Sequence, residues 1–261
     1  MRDERFLPNL TWHEIRDLEK NFGVLVLPIG AIEQHGPQLP TFTDALIAER
    51  MTILALERLA LETRVWRLPT QSFGKSNEHA GYPGTFALSA STLMAVVRDI
   101  ALGAKLAGFR RLAFINAHGG NTALLAMMAR DIRIETGLMV FNTFSSAGAK
   151  DPIEVTSEEA KYGIHAGDWE TSIVLALEPE LVHMDRAVKS FPNYPKSENL
   201  SLTQGNAVSA WLTRDWSTTG VFGDSTLATV EKGKARLEAC VAKLAEVLTE
   251  ISTFEIPEVG S

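Results

Sequence analysis

Apolar positions along this chain follow two rhythms. Near-continuous runs occur at Val24, Leu25, Val26, Leu27 and Ile29, in RRLAFIN (residues 110–116) and in GLMVFNTF (137–144). Runs of this kind, without polar alternation, suit strands covered on both faces. RVWRLP (64–69) predicts a shorter strand. Elsewhere the apolar residues recur every three or four positions. Leu46, Ile47, Ile53, Leu54 and Leu56 predict a helix over about 44–61. Ser89 or Ser91 caps a second helix that runs to Leu106 and ends at Gly108. Helical spacing returns after Gly120, again from Ile173 to Leu177, and along a terminal helix over 227–251 whose Lys and Glu form a solvated face. TWHEIRDLEK (11–20) pairs Thr11 with Glu14, a capping-box pattern. Strands alternating with helices predict an α/β fold with a mostly parallel sheet flanked by helices on both faces. No Pro/Gly/Ser linker or repeat divides residues 1–261, so one domain is expected.

Composition narrows the partners. The 25 Lys and Arg against 32 Asp and Glu leave a net charge of −7, and no basic run is present. That argues against nucleic acid. No apolar run approaches the roughly 18 residues of a membrane span, and the opening MRDERFLPNL has no signal-peptide core. The single Cys240 lies on the apolar stripe of the terminal helix, as a small core residue does. A cytoplasmic setting is expected.

The chemistry-bearing residues collect where strands give way to helices. The stretch VLVLPIGAIEQHGPQLPTFTD leaves its strand with Glu33 and His35, two residues apart. In extended chain such a pair faces one side. Asp44 follows at the head of the next helix, where it is a third ligand type or only an N-cap. Mixed carboxylate and imidazole donors suit a hard or borderline divalent cation. His118 stands at the end of the next long strand, before Gly119 and Gly120, with Asn116 and Asn121 flanking the turn. In open α/β sheets that edge binds ligands. No G-x-G-x-x-G is present, so the turn is not a dinucleotide fingerprint. HAGDWETS places His165 before a helix that Asp168 is expected to cap and Glu170 to charge in its first turn. The long Gly-rich loop over 71–88 carries Asn77, Glu78, His79 and Tyr82. Asn77, His79, Gly119, Gly120, Asn121 and Trp169 are the candidate substrate contacts.

Taken in order, GAIEQHGPQLPTFTD, NEHAGYPGT, NAHGGN and HAGDWETS resemble the creatininase (creatinine amidohydrolase) family, over roughly residues 24–232. The resemblance implies a three-layer α/β fold and a hydrolase with two divalent metal ions per chain (Zn, Mn or Fe), usually assembled as a homo-oligomer, a hexamer. It matches Glu33 and His35 to ligands of different metals, Asp44 to the bridging carboxylate, His118 to a further ligand and His165 to the catalytic histidine. Two departures stand out. Creatininase carries a glutamate ligand two residues after the strand histidine, where this chain has Gly120; Glu170 is the expected replacement. A tryptophan expected shortly before the catalytic histidine is missing, and Trp169 follows His165 instead. Both argue against creatinine itself. The expected activity is metal-dependent hydrolysis of a C–N bond in a small cyclic amide or formamide-type compound, with His165 as general acid/base. A ring ketone of inosose type or a short peptide is the alternative substrate, and a non-catalytic metal-binding protein is the third reading.

Overall fold

A computed structural model describes residues 3–203 and 206–257. At its centre four parallel strands lie in the order β2 (Val65–Arg67), β1 (Val24–Ile29), β3 (Arg111–Asn116) and β4 (Met139–Phe144). β1 and β3 are buried at every position, as their unbroken apolar runs predicted. Their side chains alternate between two cores. Val24, Val26, Ala113 and Ile115 face one, with helices α2 (Thr43–Glu57), α6 (Asp168–Leu177) and α8 (Val230–Thr253). Leu25, Leu27, Ile29, Leu112 and Phe114 face the other, with α3 (Ala90–Leu106) and α4 (Thr122–Thr136). The result is the expected three-layer α/β arrangement.

Local signals behave as physical chemistry requires. Thr11 closes a capping box with Glu14 on the short α1 (Trp12–Asp17). Ser89, not Ser91, caps α3 by accepting from Thr92 N. Cys240 is buried in the α2/α6/α8 core. Neither Asp44 nor Asp168 caps its helix. Asp44 lies inside the first turn of α2, after Phe42 at the N-cap, and makes no cap bond. Asp168 likewise begins α6 after Gly167, because its carboxylate is taken by Arg236 and Lys232 of α8. α5 (Ser157–Tyr162) precedes the His165 loop, and the irregular 191–223 region contains the one-turn α7 (Thr213–Trp216). Among the described residues, no helix is long and apolar enough to cross a membrane.

The carboxyl edge of the sheet is where the site forms, and one glycine decides how closely α2 reaches it. A Cβ at Gly30 would lie 2.4 Å from Ala45 N. With hydrogen in its place, the first turn of α2 presses directly onto the exit of β1 and brings Asp44 with it.

Candidate metal centre and active-site cavity

Four of the six histidines converge on the carboxyl edge of β1 and β3. The loop after β1 is held from outside: Glu33 N donates to Thr41 O, Gln34 N to Thr85 Oγ1, and Phe86 N to Ile32 O. Within it Glu33 and His35 do face one side, with His35 Nε2 4.0 Å from Glu33 Oε1. Both are buried, as is Asp44.

His35 and His118 each meet a backbone carbonyl through one ring nitrogen and carboxylates through the other. His35 Nδ1 lies 3.0 Å from Glu33 O and donates to it. Its Nε2 lone pair then faces Asp44 Oδ1 at 3.1 Å. His118 is held the other way round. Its Nε2 lies 3.1 Å from Lys75 O and 3.3 Å from Glu78 Oε1. Its Nδ1 faces Asp44 Oδ2 at 3.0 Å and Glu33 Oε2 at 3.3 Å. Asp44 thus turns one oxygen to each imidazole, and its buried Oδ2 receives no directed hydrogen bond. Glu170 Oε2 lies 4.0 Å from His35 Nε2 and accepts from Ala166 N at 2.5 Å.

Lone pairs aimed at carboxylates need a proton or a cation between them. With protons alone, burial opposes charging His35, but Asp44, Glu170 and Glu33 outweigh it and lift the imidazole to about 10. His118 is also raised well above its ordinary value, against burial, by Glu33, Asp44 and Glu78. Asp44 goes down, because His35 and His118 overcome burial. Burial pushes Glu170 up to about 7. Buried, electron-rich and short of donors, this set of imidazole and carboxylate groups fits a divalent cation.

His165 occupies the middle of three imidazoles, with ring centroids 4.3 Å from His35 and 4.2 Å from His79. Its Nε2 lies 2.7 Å from Gln34 O and donates there, so the Nδ1 lone pair remains, 3.5 Å from Glu33 Oε1. Burial, with His35 and His79 beside it, holds His165 well below its ordinary basicity. The next residue, Ala166, has φ +53°, a left-handed conformation that costs about 1–3 kcal/mol outside glycine. Pairing of His165 with Phe222 and the Glu170 bond to Ala166 N hold it there. His79 Nδ1 accepts from Gln34 Nε2 at 2.8 Å, which leaves Nε2 to meet Glu33 Oε1 at 3.3 Å.

Above these groups opens a cavity of about 900 Å³. Of the expected substrate contacts, Asn77, His79, Gly119 and Gly120 line it. Asn121 does not. It is fully buried, and its amide joins Lys75 N, Gly30 O and Asn116 Oδ1. Trp169 also lies elsewhere, lining a smaller cavity with Asp151 and Arg236. Glu170, one position further along the helix, lines both cavities. The structure adds three groups that sequence reading did not select. Glu78 meets His118, Ser76 Oγ donates to Glu33 Oε2, and Trp211 and Leu212 form part of the cavity wall. Glu78 sits between two residues that were selected, so its position was visible; Trp211 and Leu212 had no local signal.

Comparison with known proteins follows the same lines. The family model described as "Creatininase: Creatinine amidohydrolase" matches residues 8–248. A mycofactocin precursor peptide peptidase from Mycobacterium ulcerans is 31% identical over 231 residues, 85% of this chain and 84% of that protein. The creatinine amidohydrolase of Pseudomonas putida is 29% identical across 94% of this chain and 96% of its own. A 3-dehydro-scyllo-inosose hydrolase of Thermotoga maritima is 27% identical across 94% and 83%. Among solved structures, a creatininase variant of Zn–Zn type superposes with a TM-score of 0.74 at 27% identity, covering 95% of this chain and 98% of that one. A manganese creatininase gives 0.73 at 28%, covering 94% and 97%.

Proposed function

The chain belongs to the creatininase family, and we propose that it is a dinuclear metal-dependent amidohydrolase that opens a C–N bond of a small cyclic amide or formamide-type compound. The single observation that carries this reading is Asp44, with Oδ1 3.1 Å from His35 Nε2 and Oδ2 3.0 Å from His118 Nδ1. One carboxylate shared between two imidazole lone pairs is the arrangement that holds two cations side by side. Asp44, His118 and Glu33 make one ligand set, and Asp44, His35 and Glu170 the other. The Zn–Zn and Mn creatininase structures support zinc or manganese as occupants. Bound there, two divalent cations supply a polarised carbonyl and a water acidified toward neutrality.

The remaining work falls to the chain's own side chains. Ser76 and His79 donate to Glu33 and keep its two oxygens aimed in different directions. Gln34 O holds the Nε2 proton of His165, so Nδ1 is the atom that accepts a proton from water and delivers it to the leaving nitrogen. The strained Ala166 and the buried rings on either side keep that nitrogen in place.

A short peptide is the second reading for the substrate. A cavity of about 900 Å³ is roomy for a small ring, and the mycofactocin precursor peptide peptidase is similar over most of the chain. Both readings break the same type of bond. A screen of cyclic amides, formamides, short peptides and inososes tests them, with each hit repeated after chelation and after zinc or manganese is restored. Amide cleavage that disappears with chelation and returns with metal is expected. Cleavage only of the inososes, or cleavage indifferent to chelation, contradicts the proposal.

A further inference from the structure

We propose that Glu78 is the positioning residue that fixes His118 for metal, reaching from the loop after β2 into space left free because residue 120 is glycine. The inference rests on the dinuclear reading above. A Cβ on Gly120 would lie 2.2 Å from Glu78 Oε1, 2.5 Å from His118 Nε2 and 2.5 Å from Lys75 O. A Cβ there could not sit beside the Glu78 carboxylate, His118 Nε2 and the Lys75 carbonyl as they stand, so the glycine leaves room for all three. Where the creatininase motif brings a carboxylate from two residues beyond the strand histidine, this chain brings one from a different loop.

The direction of approach defines its role. Glu78 Oε1 meets His118 Nε2 at 3.3 Å, the ring edge opposite the Nδ1 that faces Asp44 and Glu33. Glu33, Glu78 and His118 offer atoms within 4.8 Å of one another, but approach to the outer nitrogen suits orienting the ring rather than ligating the cation that His118 Nδ1 would hold. A carboxylate on the outer nitrogen fixes the tautomer, orients the ring and makes the inner nitrogen a better donor. The loop is built to hold it there. Lys75 N donates to Asn121 Oδ1, and Lys75 O receives the same His118 Nε2 proton. Asn121, expected to touch substrate, instead anchors the segment that presents Glu78.

The test is zinc affinity of the full chain, measured by competition with a chromophoric chelator, with thermal unfolding recorded for every variant. Glu78→Ala should weaken zinc binding by about 10–100-fold, the range for carboxylates behind a metal-bound histidine. Glu78→Gln keeps an acceptor oxygen and should lose less. Should Glu78→Ala fail to fold, Glu78→Gln carries the comparison. Gly120→Ala should weaken binding at least as much as Glu78→Ala, because its Cβ would meet His118 Nε2 and Lys75 O as well as Glu78 Oε1. Glu78→Ala binding zinc within about twofold of wild type overturns the inference. A wild type that binds no zinc at all overturns the dinuclear reading itself, which keeps the two failures distinguishable.

Discussion

Asp168 and Glu170 stand two residues apart in the first turn of α6, and each belongs to a buried cluster of charge. The clusters are built on opposite principles. Around Asp168 every carboxylate oxygen meets a donor. Arg236 Nη2 reaches Oδ2 at 2.8 Å, Ser172 Oγ reaches Oδ1 at 3.1 Å, and Lys232 Nζ lies 3.2 Å from both. Arg236 also donates to Asp151 at 3.1 Å. Two cations face two anions, and the network pins α6 to α8. Around Asp44 the carboxylates of Glu33 and Glu170 gather with imidazoles, which need a proton or a cation to face them, and no Lys or Arg touches any of the three among the described residues. The number of acids is similar in both places. The number of donors separates a structural ion network from a cluster that calls for bound cations.

That contrast can be broken from either side. The largest effect is expected at Asp44. Asp44→Ala removes the one side chain common to both ligand sets, and the variant should fold yet lose both metals and all turnover, read by metal mass spectrometry and assay. Next comes His165, which sits among the ligands but is assigned proton transfer. His165→Ala should lower kcat by about 10²–10⁴-fold with metal content unchanged; loss of metal would make it a ligand. Arg236→Ala attacks the other cluster. It leaves Asp168 buried without its main partner and should cost about 3–5 kcal/mol in urea unfolding, while the folded fraction keeps its metal and its kcat. The smallest change is Glu170→Gln, which should leave about one metal per chain. Two metals retained with near-normal turnover would reduce Glu170 to a helix-end carboxylate held by Ala166 N.

Much of this arrangement was legible in the sequence. Glu33, His35 and Asp44 lie within twelve residues and need only one strand exit and one helix start to converge. The strands themselves were visible because burial on both faces leaves unbroken apolar runs. What could not be read was direction. Asp168, Trp169 and Glu170 are consecutive, yet one meets Arg236, one lines a side cavity and one faces His35. A helix turns each by about 100°, and without the register of α6 against α8 any of the three was eligible. Asn121 has the same history. An amide in a Gly-rich turn reads as a ligand contact, but its partners Gly30 and Lys75 are distant in sequence and appear only on folding. The role of Glu78, though not its place in the loop, was obscured for the converse reason, since its target at His118 comes forty residues later.

The central proposal is that Asp44 would serve both metal sites, since its two oxygens face His35 and His118. Its most direct measurement is the metal content of the folded wild-type chain, stripped of metal, reloaded with zinc or manganese, freed of excess and weighed by native mass spectrometry. Two tightly held ions per chain are predicted, falling to none in Asp44→Ala. A wild type that retains none or only one, or an Asp44→Ala chain that still retains two, would contradict it.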